Sequence, residues 1–408
     1  MKTSVLAQPV TLPCGVVADN RFIKSATSEA LASVHHAPTK LLERLYGVWS
    51  AGGAAVLVTG NVMIDSRHLG EPGNVVVEDE KHLSFLKSWA EAGTAHGNQL
   101  WMQLNHPGKQ SQRLWNKEPV APSAVPLSLK HFNPPRALTA DEIEDIVVRF
   151  GRAAGVAKKA GFTGVQIHGA HGYLVSQFLS PHHNRRGDEF GGSLENRMRF
   201  LEMVYGSIRE AVGPSFPVSI KINSADFQRG GFTSAESLSV IARLAEVGID
   251  LIEISGGNYE APAMMAQRKT TSERGMREAY FLKFAEKARQ QVSIPLAVTG
   301  GFRTSRGMEA AIKSGAVDFV GMARPMILET DIPLRILQGE DFTSEVQADI
   351  STGFRALDHA LMIRLTWYTQ QLSVIAAGKT VNRRLHPLLA ALQLFAKTGW
   401  QNFRRSRE

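Results

Sequence analysis

The sequence has almost no cysteine, since Cys14 is the only one among its 408 residues. A single thiol excludes an intramolecular disulfide framework and an iron–sulfur cluster that several cysteines would hold. Low cysteine content is typical of a reducing compartment, and the stretch from Met1 to Thr11 has no apolar core of a secretion signal. We therefore expect a cytoplasmic location.

Long apolar runs are also missing, because charged residues or glycine interrupt each run before about 18 residues. The sequence therefore predicts no helix that spans a membrane. The net charge of +8 is unevenly distributed: between Lys379 and Glu408, seven basic residues and one acidic residue give +6, which leaves about +2 for the rest. A body with so little net charge argues against polyanion binding, and we expect no nucleic-acid partner.

Short apolar segments alternate with amphipathic segments along the chain, which is the pattern of a parallel sheet with crossover helices. Eight segments are candidate strands, and this number favours a closed barrel over an open sheet. The predicted fold class is therefore α/β, a (β/α)8 TIM barrel. The candidate strands are Arg21–Ala26, Ala55–Thr59, Gln99–Leu104, Gly164–His168, Val218–Asn223, Leu251–Ser255, Leu296–Thr299 and Phe319–Gly321.

Helix start signals support this alternation. The run from Thr139 to Glu142 has the spacing of a capping box and precedes a periodic stretch that ends near Ala160. Ser234 and Thr304 mark the starts of two more candidate helices. A glycine often follows such a helix, where it can adopt the left-handed conformation that ends it.

Two regions do not fit the βα pattern. The proline-rich segment Trp115–Arg136 is expected to lie over the mouth of the barrel. After Pro325 only helical patterns follow, with candidate helices at Met362–Ala377 and Pro387–Ala396. We therefore expect a barrel formed by residues 1–340 and a C-terminal helical extension, residues 341–408, that packs outside the barrel.

Two loops near the end of the predicted barrel suit a phosphate group. Barrel enzymes commonly hold phosphate after their seventh and eighth strands. Gly300 and Gly301 follow the seventh candidate strand, where backbone N–H groups and the start of a helix can approach a phosphate. Ala323 and Arg324 follow the eighth and offer a backbone amide and a guanidinium. One Gly-Gly pair alone is equally consistent with a plain turn, but two such loops in this order favour a phosphate-bearing ligand.

The fourth candidate strand ends in the run His168-Gly169-Ala170-His171-Gly172-Tyr173. Two histidines three residues apart on a turn can point into one cavity, and histidine is a common metal ligand. However, neither an HExxH motif nor a cluster of carboxylates supplies further ligands, so we expect no metal. The other alternative is a pair of buried structural histidines, and the adjacent tyrosine argues against it.

Five motifs together resemble those of the old yellow enzyme family, NADH:flavin oxidoreductases that carry non-covalent FMN. The similarity covers roughly residues 5 to 335, and the His-Gly-Ala-His-Gly-Tyr run is its most specific part. The other motifs are Asn20-Arg21 with Lys24–Glu29, Gln103–Gly108, Ser180–Arg197 and the two phosphate loops.

The resemblance implies roles for individual residues around FMN. Gln103 matches the glutamine that pairs with the pyrimidine edge of the flavin, and Lys221 matches the cation near flavin N1 and O2. Ser28 stands where relatives have threonine or cysteine, so no thiol tunes the flavin here. The cofactor-binding residues expected in this way are Ser25, Ala26, Thr27, Ser28, Gly60, Gln103, His168, Lys221, Gly300, Gly301, Ala323 and Arg324.

The resemblance also implies a reaction. NADH or NADPH would reduce FMN, which would pass a hydride to the β carbon of a small activated alkene such as an enone, enal or nitroalkene. His168 and His171 match the pair that binds the activating oxygen, and Tyr173 matches the general acid. The alternatives on the same barrel are FMN-dependent amine demethylation or dehydrogenation and an NAD(P)H oxidase. A metal-dependent hydrolase and a non-catalytic scaffold are the alternatives from other classes.

The C-terminal tail combines an apolar helix face, Leu385–Trp400, with flanking arginines. Such a segment could touch a membrane surface or an anionic partner. The interpretation we favour is a helix that packs on the barrel or on a second copy of the chain, so that a homo-oligomer is expected.

Overall fold

The structure is a computed structural model that describes residues 4–129, 131–261, 278–346 and 350–405. In these residues, eight parallel strands close into a barrel in the spatial order β3-β4-β5-β8-β9-β10-β11-β12. The strands are β1 Val10–Thr11, β2 Val17–Ala18, β3 Phe22–Lys24, β4 Val56–Met63, β5 Gln99–Asn105, β6 Val120–Ala121, β7 Arg136–Ala137, β8 Gly164–Gly169, β9 Val218–Asn223, β10 Leu251–Ser255, β11 Leu296–Thr299 and β12 Phe319–Met322.

Helices surround the barrel and continue beyond its last strand. They are α1 Lys40–Ser50, α2 Leu83–Thr94, α3 Ala140–Lys159, α4 Leu174–Leu179, α5 Leu194–Val212, α6 Ser234–Val247, α7 Leu282–Arg289, α8 Ser305–Lys313, α9 Pro325–Leu328, α10 Ile332–Leu337, α11 Arg355–Ala360, α12 Ile363–Ala376 and α13 Pro387–Arg405. None of the described helices combines the length and apolar character needed to cross a membrane.

The predicted fold class, a (β/α)8 barrel followed by helices, is confirmed. The strands β9, β10 and β11 begin and end at the predicted residues. Strand β4 is longer than predicted, because a register shift between Val58 and Asn61 lets the chain pass Gly60 and pair with β5 again. The predicted strand ends just before Gly60, but in the structure Gly60 lies within β4, at this irregularity.

The helix caps explain why the helices begin where they do. The Thr139 hydroxyl accepts a hydrogen bond from the N–H of Glu142, and the Glu142 carboxylate accepts one from the N–H of Thr139 at 2.9 Å. This is the capping box that the sequence predicts. Thr233 and Thr304 likewise cap α6 and α8, which confirms the predicted starts at Ser234 and near Thr304.

The C-terminal extension differs from the prediction in detail. Helix α13 continues to Arg405 rather than ending at Ala396, and it packs on α12 through the buried Ala390 and Ala391. Its outer face exposes the apolar side chains Leu389, Leu392 and Phe395. The end of the basic tail, residues 406–408, lies outside the described residues, as do the side chains of residues 397–405. The domain boundary at residue 340 stays a prediction.

Replacing Thr139 with alanine should lower the free energy of unfolding by about 1 kcal/mol, because the N–H of Glu142 in the first turn of α3 loses the hydroxyl that accepts it. Urea denaturation followed by circular dichroism measures the change. Ser88→Ala is the control, since the Ser88 hydroxyl bonds only a carbonyl of its own helix α2. Equal effects of both substitutions would contradict the importance of this cap.

Candidate functional site

A pocket opens at the carboxyl ends of the barrel strands and encloses a cavity of about 240 Å³. Nine of the residues predicted from the sequence line it, namely Ala26, Thr27, Ser28, His171, Lys221, Gly300, Gly301, Ala323 and Arg324. Five other predicted residues do not line this pocket, namely Ser25, Gly60, Gln103, His168 and Tyr173.

Ser25 and Gly60 support the wall from behind. The hydroxyl of Ser25 lies 2.7 Å from that of Thr299, and its side chain is fully buried. The N–H of Gly60 donates to Glu29 at 3.0 Å, and its carbonyl accepts a hydrogen bond from Thr59. A Cβ at Gly60 would lie 2.0 Å from the Glu29 carboxylate, which explains the glycine. Its backbone contact with a flavin stays a prediction.

Gln103 belongs to a chain of buried hydrogen bonds inside the barrel. Its side-chain Nε2 donates to Gln166 Oε1 at 2.7 Å, and Gln166 Nε2 donates to Glu253 Oε2 at 2.8 Å. Sequence reasoning missed Gln166 and Glu253. The signal was available for Glu253, because it is the single charged residue among the apolar residues Leu251, Ile252 and Ile254 of its strand. A buried charge needs a partner.

That partner is Lys221, whose Nζ lies 3.0 Å from Glu253 Oε1 with 3% and 0% of the two side chains exposed. The register of the barrel brings them together, since Lys221 of β9 pairs with Glu253 of β10 and with His168 of β8. Burial raises the pKa of Glu253, but the charge of Lys221 and a hydrogen bond from Thr299 outweigh it and hold the pKa below 4.5. Lys221 therefore lines the pocket while it is paired with Glu253.

His168 and His171 lie side by side, with ring centroids 5.2 Å apart. Burial and the positive charge of Lys221 lower both pKa values, that of His171 to about 3, so both rings are neutral at physiological pH. His171 Nε2 lies 2.8 Å from the hydroxyl of Ser255. Its backbone has a positive φ of 62°, and Asn223 accepts its N–H, which holds the turn in this unusual conformation.

Tyr173 stands next to this pair, with its ring 4.7 Å from that of His168. Its hydroxyl lies 2.9 Å from the hydroxyl of Tyr259, which follows β10. Burial and the neighbouring tyrosine raise the pKa of Tyr173 well above 10, so the phenol keeps its proton. The structure thus brings the three predicted catalytic side chains together, and Tyr259, which the sequence predicts to lie at the substrate pocket, contacts Tyr173 there.

The two predicted phosphate loops lie in the same pocket, but the start of α8 is already occupied. Gly301 has a φ of 96°, and a Cβ there would lie 2.8 Å from the backbone nitrogen of Ala279, so only glycine fits. The carboxylate of Glu278 accepts the N–H groups of Arg303 at 2.7 Å and Thr304 at 2.9 Å. The N–H groups of Arg303 and Thr304, which the sequence suggests for a phosphate, therefore bind the carboxylate of Glu278 instead.

Arg324 and Thr27 line the pocket and carry polar groups that have no compensating partner among the described residues. The guanidinium of Arg324 has no carboxylate within ion-pair distance there, and burial lowers its pKa. The hydroxyl of Thr27 is buried and has no hydrogen-bond partner. The partly buried guanidinium of Arg324 and the unpartnered hydroxyl of Thr27 lie in one pocket with the glycine cradle, the backbone at Gly300 and Gly301. These groups together fit an anionic ligand such as a phosphate ester.

The described residues contain no group of three histidine, cysteine, aspartate or glutamate side chains that could hold a metal. His183, an additional histidine near the motif, lies 2.8 Å from the amine of Lys109 instead. An ammonium group at that distance competes with a metal for the ring nitrogen.

A family model described as NADH:flavin oxidoreductase / NADH oxidase family matches residues 6–341. The NADH-dependent flavin oxidoreductase iccE of Talaromyces variabilis is 34% identical, over 97% of this chain and 99% of the relative. The NADPH dehydrogenase of Geobacillus sp. strain WCH70 is 34% identical, over 72% and 79%. A solved old yellow enzyme homologue from Zymomonas mobilis is 25% identical with a TM-score of 0.71, over 84% of this chain and 94% of the homologue. The family match ends before α11.

Replacing Glu253 with glutamine should lower the free energy of unfolding by about 3–5 kcal/mol, because Lys221 would keep a buried charge without its partner. Adding Lys221→Met in the same chain should recover part of this loss. Denaturant titration of the two variants measures both effects, with the exposed Glu286→Gln as the control.

The same variant tests the pKa of Glu253. Its folded pKa lies below the unfolded value, so the stability from its charge is present above pH 4.5 and is lost as the pH falls through the folded pKa. Unfolding measured across this range should therefore depend less steeply on pH for Glu253→Gln than for the unaltered protein. Identical slopes would contradict the assigned ionisation.

Proposed function

Since the chain belongs to the NADH:flavin oxidoreductase / NADH oxidase family, we propose that it is an FMN-dependent ene-reductase that uses NADH or NADPH to reduce small activated alkenes. The observation that carries this proposal is the convergence of two neutral imidazoles and a neutral phenol, His168, His171 and Tyr173, beside the cofactor pocket. These groups can bind an oxygen and donate a proton without bringing a net charge into the site.

The residues of the pocket fit FMN. The cradle at Gly300 and Gly301, the amide of Ala323 and the guanidinium of Arg324 would hold the phosphate. The orphaned hydroxyl of Thr27 would gain a partner from the cofactor. FMN, when bound, supplies the redox chemistry, because it can accept a hydride from a nicotinamide cofactor and give it to the β carbon of an alkene.

His168 and His171 would bind the activating oxygen of the substrate. A neutral imidazole has one N–H to donate, and two such donors at one oxygen stabilise the negative charge that develops there as the β carbon is reduced. The hydroxyl of Ser255, 2.8 Å from His171 Nε2, is in place to fix the tautomer and orientation of that ring.

Tyr173 would give its hydroxyl proton to the α carbon. Only 7% of this residue is exposed, so bulk water has little access to the donor. The hydroxyl of Tyr259, at 2.9 Å, orients the phenol and can return a proton to it. A shielded, oriented acid of high pKa suits protonation of a carbanion-like centre, and this favours alkene reduction over an NAD(P)H oxidase or an amine demethylase, which need no such donor. The cytoplasmic location and the homo-oligomer stay predictions.

Replacing Tyr173 with phenylalanine should slow the reduction of an enone by about 10²- to 10⁴-fold, the usual contribution of a general acid. Reduction of the flavin by NADH should persist, because it needs no proton from this hydroxyl. Stopped-flow absorbance at the flavin band resolves the two half-reactions. Tyr205→Phe is the matched control, since Tyr205 bonds the carbonyl of Gly248 away from the pocket. Equal loss of both half-reactions in Tyr173→Phe would refute the assigned role.

The buried carboxyl of Glu71, whose pKa burial raises to about 7, acts on Tyr173. In the Glu71→Gln variant, which removes this titration, the alkene half-reaction should be independent of pH between about pH 6 and pH 9. Both histidines are already neutral at the lower limit, and the phenol of Tyr173 is still protonated at the upper limit. Stopped-flow rates on pre-reduced enzyme measure this dependence. A titration with a midpoint near that of free histidine, about 6.5, would mean that a charged imidazolium binds the oxygen.

A further inference from the structure

Helix α12 of the C-terminal extension forms one wall of the cofactor pocket. Its residues Arg364, Tyr368 and Thr369 line the same cavity as the phosphate loops after β11 and β12. These residues lie beyond residue 341, where the family match ends. The sequence predicts only that this helix packs outside the barrel, so its position at the pocket assigns it a further task.

The position of α12 is fixed by contacts with the barrel. The carbonyl of Ala376, at its C-terminal end, accepts a hydrogen bond from Arg44 of α1 at 3.0 Å. The hydroxyl of Thr369 donates to the carbonyl of Ser28 at 3.4 Å, and Ser28 itself lines the pocket. Hydrogen bonds therefore hold this helix against the barrel beside the pocket.

Three arginines meet at this end of the pocket. Arg303 and Arg324 come from the two phosphate loops, and Arg364 comes from α12. After burial, the charges of Arg303 and Arg364 are among the causes that lower the pKa of Arg324. Asp358 lies within electrostatic range of Arg364. The three like charges still repel one another, and an anion between them would reduce this repulsion.

The hydroxyl of Tyr368 lies in the same cluster. It is buried and has no hydrogen-bond partner among the described residues. The charges of Arg303, Arg324 and Arg364 all act on it, so it lies within electrostatic range of each. Arg364 and Tyr368 are four residues apart and therefore share one face of α12. A buried donor without an acceptor, surrounded by cations, indicates a missing anionic partner.

We propose that Arg364 and Tyr368 bind the phosphate of FMN, so that the C-terminal extension completes the phosphate site that the two barrel loops begin. The guanidinium of Arg364 would form a charge-assisted hydrogen bond with the phosphate dianion, and the Tyr368 hydroxyl would donate a second. The inference depends on FMN as the cofactor and is independent of alkene reduction. It explains why α12, outside the ring of barrel helices, is held at the pocket by Thr369.

The test compares FMN with riboflavin, which has the same ring system but no phosphate. Apo-protein is titrated with each flavin, and quenching of flavin fluorescence gives the dissociation constants. Arg364→Ala should weaken FMN binding by about 10- to 100-fold and leave riboflavin binding within about twofold, because one charge-assisted hydrogen bond is lost. Tyr368→Phe should weaken FMN binding by about 3- to 10-fold with the same selectivity. Arg384→Ala is the control, since it removes one charge from an exposed position of the same extension.

Two outcomes would overturn the proposal. Unchanged FMN binding in Arg364→Ala would mean that the guanidinium does not touch the phosphate. Equal weakening of FMN and riboflavin would mean that the residue only supports the wall. If the alanine variant does not fold by circular dichroism, Arg364→Lys serves instead, because it keeps the charge but loses the planar fork, and a loss specific to FMN is again expected. Neither readout requires catalysis, so failure of the ene-reductase proposal would leave this test intact.

Discussion

The buried ion pair between Lys221 and Glu253 is the constraint on which the site depends. Two charges inside a barrel are stable only when every remaining donor and acceptor around them is satisfied. Glu253 accordingly accepts hydrogen bonds from Gln166 and Thr299 as well. Gln166 connects the pair to the predicted flavin ligand Gln103 on one side, and Thr299 connects it to Ser25 behind the pocket wall on the other. The positions of the side chains at the mouth of the barrel therefore depend on the ion pair in its interior.

A second buried ion pair stabilises the opposite part of the pocket. Lys24 lies 3.6 Å from Glu29 and stacks over the ring of Trp49, and burial lowers its pKa to about 8. Glu29 also accepts hydrogen bonds from the hydroxyl of Tyr46 and from the N–H of Gly60. This cluster holds the loop after β3, whose residues form the pocket wall, at a set distance from β4. Two buried Lys–Glu pairs therefore hold residues that lie behind the wall of the cofactor pocket.

The sequence predicts the barrel well because strand and helix periodicity, capping residues and glycines are local signals. The family resemblance is confirmed for the same reason, since its motifs are short runs such as His168–Tyr173. Contacts between distant segments are harder to predict. The sequence shows Glu253 as one acidic residue among apolar ones, but it does not show which residue is its partner. Lys221 is identified as the partner only by the register between β9 and β10. The position of Tyr259 after the sixth barrel strand predicts that it lies near the substrate pocket, but not that it contacts Tyr173. Glu278 lies in a loop whose course no local pattern specifies, and Tyr368 reaches the pocket through the packing of α12.

The hydrogen bond between Thr369 and Ser28 joins positions 341 residues apart in the chain. A growing polypeptide leaves the ribosome from its N-terminus, so the loop after β3 is made long before the helix that touches it. The barrel can begin to fold during synthesis, but the pocket lacks one wall until residue 376 has emerged. On the proposed role of α12, a translation product that stops before this helix would carry a barrel that retains FMN poorly.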